Sequence, residues 1–298
     1  MNHKLNPATI FLLVIPPLLW AGNAVVGRMI HEMVPPITLN FIRWILAFLI
    51  LLPMAFHIYR RDSMLWRNWR RYAVLGLLGV GLYNALQYLA LQSSTPINVT
   101  LVAASMPVWM MMVGSLLFQA KVSRWQLAGA VLSIIGVLIV LSRGEIRQLL
   151  SLHLVPGDIF MIIATITWSV YSWLLTRGND GELRNHWADF LLAQVSFGVL
   201  WSGLFSATEW VVTKPTMHWS PMLIAALAFV AIGPAVIAFR CWGLGVQRVG
   251  PNIAAFFNNL TPLFAALMSS AFLGETPHVF HALAFMCIVG GIFLSSRH

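Results

Sequence analysis

PNIAAFFNNLTPLFAALMSSAFLGE, residues 251–275, decides the fold, because the chain carries the same plan at residues 96–120, PINVTLVAASMPVWMMMVGSLLFQA. Aligned without a gap, Pro96 falls on Pro251, Pro107 on Pro262 and Ser115 on Ser270. One deletion later, Gly136 meets Gly290 and Ser142-Arg143 meets Ser296-Arg297. Two prolines eleven residues apart in an apolar span, then a short connector and a Gly-bearing apolar span, make a demanding pattern. Its recurrence divides the chain into two related halves, expected at residues 1–148 and 149–298.

Composition sets the environment. Of 298 residues, 59% are hydrophobic and 9% charged, against about 25% charged in a soluble chain. Mean hydropathy is +0.80, and the expected class is an all-α integral membrane protein in a lipid bilayer. A span needs about 20 mostly apolar residues. Ten runs qualify, near residues 9–30, 36–56, 72–92, 96–118, 125–142, 157–176, 188–208, 219–246, 251–273 and 278–295. The first contains Pro16-Pro17 and lacks a small-x-small cleavage site, so it reads as a retained span rather than a signal peptide. With both ends cytoplasmic, that side receives twelve of the 18 Lys and Arg, the opposite side four, and Arg43 and Arg240 lie within spans. This bias follows the positive-inside rule and supports an even number of spans. The net charge of +9 therefore reflects orientation, and without a soluble basic domain nucleic acid is not an expected partner.

Five spans per half is an odd number, so the second half enters the membrane in the opposite sense. The expectation is ten transmembrane helices as two inverted five-helix repeats. Such an architecture holds a central site near the midplane and exposes it alternately to the two sides. The alternative is an ancient duplication retained for packing.

LLWAGNAVVGR at 18–28, the Arg43-Trp44 pair, the proline-bearing fourth and ninth spans and LGE at 273–275 resemble the EamA-type transporters of the drug/metabolite transporter superfamily. The resemblance covers nearly the whole chain. Within the superfamily the chain is most similar to YddG-type aromatic amino acid exporters, by its length, tryptophan content and the stretches ILLPMAF and GLYNALQYLAL. It implies a ten-helix exporter of small metabolites in a bacterial inner membrane. One departure is that the Glu often ending the fourth span is here Ala120, while the second half keeps Glu275.

Polar groups inside a span are costly and mark candidate sites. Trp20, Asn23 and Gly27 share one face of the first helix, and Trp168 with Tyr171 repeats the first spacing in the sixth span. Their aromatic faces suit an aromatic side chain or an ammonium group; the other reading of such tryptophans is helix packing or an interfacial belt. Tyr83 and Gln87 form an i, i+4 pair continuing a stripe from Gly76 and Gly79, with Asn84 and Tyr88 a second pair beside it. In the ninth span Asn252, Phe256 and Asn259 lie at i, i+4 and i+7, next to Asn258 and before Pro262. Their amides suit a zwitterion's carboxylate and ammonium, or else they satisfy carbonyls freed by the proline or tie the helix to a neighbour. Trp109, two residues past Pro107, is a further candidate wall. Arg43 lies close enough to its span's start to snorkel, although it also suits a carboxylate; Arg240 is either anchored by carbonyls near Gly233-Pro234 or a base in the site.

Asp158 and Asp189 begin spans and Glu275 ends one, so the centres of the spans hold no carboxylate. That favours a neutral or zwitterionic substrate over a cationic one exchanged for protons. Cys241 and Cys287 offer no metal spacing, His31-Glu32 is followed by Met33-Val34-Pro35 rather than a second His, and there is no Gly-Lys-Ser/Thr loop. No metal, cofactor or enzyme activity is expected. The function expected is secondary transport of amino acids and related metabolites out of the cytoplasm; a channel-like facilitator is the alternative, and the chain is a monomer or homodimer. Trp168→Ala is expected to lower transport while leaving folding intact, checked by uptake at matched expression.

Overall fold

The computed structural model describes residues 5–30, 32–94, 96–142, 144–145, 147, 155–178, 180–273 and 279–297. Glu275 and the expected boundary at 148–149 lie outside the described residues. Among the described residues the long elements are all helical. They are α1 (Pro7–Met29), α2 (Pro36–Ala55), α3 (Trp69–Leu75, Gly76–Leu82, Tyr83–Ser93), α4 (Pro96–Ala104, Met106–Phe118) and α5 (Arg124–Leu141). There follow α6 (Pro156–Leu175), α7 (Trp187–Thr213), α8 (Pro221–Val230, Ala231–Ile237, Ala238–Val249), α9 (Pro251–Phe257, Leu260–Leu273) and α10 (Val279–Ser295).

Among the described residues, seven helices are long and apolar enough to cross a membrane: α1, α2, α3, α5, α6, α7 and α8. The other three runs are helical but shorter. α10 has 17 residues, while α4 is interrupted at Ser105 and α9 at Asn258-Asn259. Each interruption sits where Pro107 or Pro262, lacking an N–H, cannot close the α-helical bond to the residue four before it. Outward-facing side chains such as Leu116, Leu117, Leu200, Val211 and Val212 are exposed, as a bilayer-facing surface requires.

α3 and α8 each contain a π-helical stretch, Gly76–Leu82 and Ala231–Ile237. A side chain from another helix meets a carbonyl in each: Asn40 Nδ2 donates to Val80 O at 3.1 Å, and Trp20 Nε1 to Pro234 O at 3.3 Å. The wide turn also changes which face the following residues present. Gly76 packs on α7, where an added Cβ would lie 2.6 Å from Gln194 O, whereas Gly79 lies under the Tyr171 ring of α6.

Packing between the halves is reciprocal. α1 lies against α8 and α9, while α6 lies against α3 and α4; α2 pairs with α7, and α5 with α10. The α5–α10 contact is backbone on backbone: a Cβ on Gly129 would sit 2.7 Å from Gly291 O, one on Gly291 2.7 Å from Gly129 O, and one on Gly136 2.9 Å from Ala284 O. These glycines are therefore used within the chain.

Two polar clusters tie helix ends. Pro35 gives α2 no side-chain cap. Glu209 of α7 supplies one instead, accepting from Ile37 N at 3.0 Å, Thr38 N at 2.8 Å and Thr38 Oγ1 at 2.7 Å, so a carboxylate meets the positive end of the helix. Asp180, its side chain fully buried, accepts from Arg71 Nε at 2.7 Å, Arg184 Nη2 at 2.6 Å and the Tyr72 hydroxyl at 3.1 Å.

Gly129→Ala is expected to destabilise by about 1–3 kcal/mol through overpacking, read as a lower Tm in detergent. Gly243→Ala, where an added Cβ has nothing within 4 Å, leaves Tm unchanged or raises it. Glu209→Ala strands two amides and costs about 1–3 kcal/mol in the same assay.

Candidate substrate site

Trp168 of α6 is 1% exposed and is the hub of an aromatic cluster. Around it, ring centroids lie at 5.3 Å for Trp20, 4.8 Å for Tyr83, 5.0 Å for Tyr171, 5.4 Å for Phe239 and 5.6 Å for Trp242. The rings come from four helices: α1 gives Trp20, α3 gives Tyr83, α6 gives Trp168 and Tyr171, and α8 gives Phe239 and Trp242. Tyr83 is the first residue after the π stretch of α3, and Phe239 the second after that of α8. The two wide turns thus deliver rings from opposite halves onto one indole, in keeping with the frequent placement of π turns at functional sites.

Most polar tips of the cluster have partners. Trp20 bonds Pro234 O as described, Trp242 Nε1 donates to Ser172 Oγ at 3.1 Å, and the Tyr171 hydroxyl donates to Gln194 Oε1 at 3.0 Å. Trp168 Nε1 is buried without a hydrogen-bond partner. Trp20 and Tyr83 remain half-buried, whereas Trp168 and Tyr171 are closed off. Such an assembly offers π faces to an aromatic ring or an ammonium group, the latter contact contributing about 0.5–2 kcal/mol.

Of the residues expected from sequence, Trp20, Tyr83, Trp168 and Tyr171 are brought together. Asn23 and Gln87 are half-buried on α1 and α3, the helices that carry Trp20 and Tyr83. Trp109 Nε1 donates to Ser105 Oγ at 2.9 Å, binding across the interruption of α4. Phe256 is fully buried in the main core. Asn259 Nδ2 donates to Ser133 Oγ of α5 at 2.8 Å, a tie between helices, and its Oδ1 is unpartnered. Asn258 donates to the Met106 sulfur, joining the interruptions of α9 and α4.

Phe239, Trp242 and Trp44 join the cluster without having been singled out as its members. A signal for two of them was present: Phe239 and Trp242 stand three apart, the spacing of Trp168 and Tyr171. Trp44 reaches Phe239 at 4.8 Å.

Both in-span arginines differ from expectation. Arg43 does not snorkel; it is 1% exposed, its guanidinium 5.1 Å from the Trp44 ring, because α2 is packed between other helices at that depth. Arg240 is exposed and lies 4.3 Å over Trp187, while the Pro234 carbonyl near it is taken by Trp20. Among the described residues, no three His, Cys, Asp or Glu are grouped to hold a metal ion.

Burial also changes the expectation for Trp168→Ala. Removing an enclosed indole costs about 3–5 kcal/mol, so this variant loses stability as well as transport. Trp168→Phe, which keeps ring contacts, is expected to retain most of the Tm that Trp168→Ala loses, measured by thermal melting.

Comparison with known proteins follows the same architecture. The model of the EamA-like transporter family matches residues 7–142 and again residues 155–297. A crystal structure of 21% sequence identity shares the fold at a TM-score of 0.75, covering 97% of this chain and 96% of that one. An uncharacterized transporter of Archaeoglobus fulgidus is 26% identical over 292 residues, 98% of each chain. The aromatic amino acid exporter YddG of Ancylobacter novellus is 25% identical over 226 residues, 76% of this chain and 74% of that protein.

Proposed function

The chain belongs to the EamA-like transporter family, and we propose that it is a secondary transporter exporting aromatic and other neutral amino acids, with related small metabolites, by alternating access. In this reading ten helices cross the inner membrane of a bacterium as two inverted five-helix repeats, with both termini cytoplasmic. Two observations support the repeats: the reciprocal packing of α1 and α6, and the matching of the family model to each half in turn.

The single observation that carries the substrate class is the ring cluster around Trp168, built from both halves. Its members are Trp20, Tyr83, Trp168 and Tyr171, with Phe239 and Trp242. Asn23 and Gln87 supply polar edges, and Trp109, Phe256 and Asn259 extend the site toward the interrupted helices. An aromatic side chain stacks on these rings and an ammonium group is drawn to their faces. The interruptions of α4 and α9 and the π turns of α3 and α8 are the bending points through which the site changes sides. Among the described residues the ring cluster includes no carboxylate, which favours a neutral or zwitterionic substrate over a cationic one exchanged for protons.

The test is transport by purified protein in liposomes of labelled phenylalanine, tryptophan, threonine and methionine, with and without a pH gradient. Saturable movement accelerated by substrate on the opposite side, and indifferent to the gradient, is the expected result. Movement of none of the four overturns the amino acid reading; movement without saturation or acceleration replaces the carrier with a channel.

A further inference from the structure

Among the described residues, Arg43 is a cation without a counter-ion. Its Nε and Nη1 atoms are buried and unpartnered, and its recorded polar contact is with Tyr88. The buried carboxylates among the described residues are engaged elsewhere. Asp158 accepts from Val155 N and the Ser94 hydroxyl, Asp180 from Arg71 and Arg184, Asp189 faces His57, and Glu209 caps α2. An isolated charge in a low-dielectric interior is strongly unfavourable unless something pairs with it during the protein's work.

Arg43 joins the aromatic cluster through Trp44. Its guanidinium lies 5.1 Å from Trp44, Trp44 4.8 Å from Phe239, Phe239 5.4 Å from Trp168, and Trp168 4.8 Å from Tyr83. Tyr83 is in turn close enough to Arg43 to interact with it electrostatically. Besides the two guanidinium donors, two members of the cluster carry buried, unpartnered N–H groups, Trp44 Nε1 and Trp168 Nε1. Unmet donors outnumber acceptors there, and every one of them is an N–H.

We propose that Arg43 is the anchor for the carboxylate of the transported molecule, with the unmet indole N–H groups of Trp44 and Trp168 as further donors in the ring cluster that adjoins it. The inference rests on the amino acid reading and deepens it: the rings hold the side chain and ammonium, and Arg43 supplies the group that recognises the acid. A guanidinium holds its N–H donors in fixed directions and keeps its charge when buried, whereas a lysine ammonium is a point charge that loses its proton more readily there. Substrates lacking a carboxylate leave the charge unmet and bind poorly.

Calorimetry on the purified full chain tests this with four ligands of one ring size: phenylalanine, 3-phenylpropionate, phenylalaninamide and phenethylamine. In the unsubstituted protein the two carboxylates are expected to bind at least about tenfold tighter than the two amines, a factor of ten corresponding to 1.4 kcal/mol. Arg43→Gln removes that preference, and Arg43→Lys restores part of it. Equal binding of phenylalanine and phenylalaninamide by the unsubstituted chain overturns the proposal whether or not the variants fold. So does an Arg43→Gln protein that keeps the preference. Binding of 3-phenylpropionate through Arg43 with no liposome transport of amino acids sustains the anchor and removes the amino acid reading. Transport of phenylalanine unaffected by Arg43→Gln does the reverse.

Discussion

A helix that departs from its regular hydrogen-bond ladder inside hydrocarbon releases carbonyls and amides that no water will meet, and the chain must meet them itself. Three such places here are met by side chains from other helices. Trp20 of α1 reaches the Pro234 carbonyl, Asn40 of α2 reaches Val80, and Glu209 of α7 reaches the first free amides of α2. Each donor or acceptor comes from a different helix than the group it satisfies. The irregularities that bend the helices are therefore also what fasten α1, α2, α3, α7 and α8 to one another. Trp20 is doubly committed, since the ring whose N–H holds α8 also packs edge-on against Trp168.

The proposed site is lopsided in chemistry although the helices that carry it come from both ends of the chain. α2 contributes a buried arginine and a tryptophan. Its partner α7 contributes Gln194, which binds the Tyr171 hydroxyl, and Glu209, which is spent on capping. An asymmetric molecule such as an amino acid has an acid end, a base end and a side chain, and a site repeating itself through a two-fold axis fits it badly. In the proposed function, the difference between α2 and α7 gives the three parts different surroundings.

The apolar runs were legible because hydrocarbon imposes a length, and Pro107 and Pro262 announced the interruptions because a missing N–H is written in the residue name. Trp168 with Tyr171 was legible through spacing. Glu209 was not: it stands just beyond an apolar run, and its partners Ile37 and Thr38 are some 170 residues away. The π stretches escaped for another reason. Counting by 3.6 assumes an unbroken ladder, so a wide turn at Gly76–Leu82 separates Gly76 from Tyr83 although seven residues normally bring two positions to one face. Arg43 was misplaced because distance along the span was taken for depth below a surface; neighbouring helices, not lipid, enclose it.

The α5–α10 contact has a mechanical meaning. Where Gly129 meets the Gly291 carbonyl, and Gly291 that of Gly129, the surfaces in contact are backbone. Backbone has no rotamers, so this seam cannot relax by repacking side chains as a leucine interface does. Sliding along it would drive one glycine's carbonyl into the next residue's Cβ. In the proposed alternating-access cycle, the α5–α10 seam is suited to serve as the pivot against which the helices carrying the rings swing.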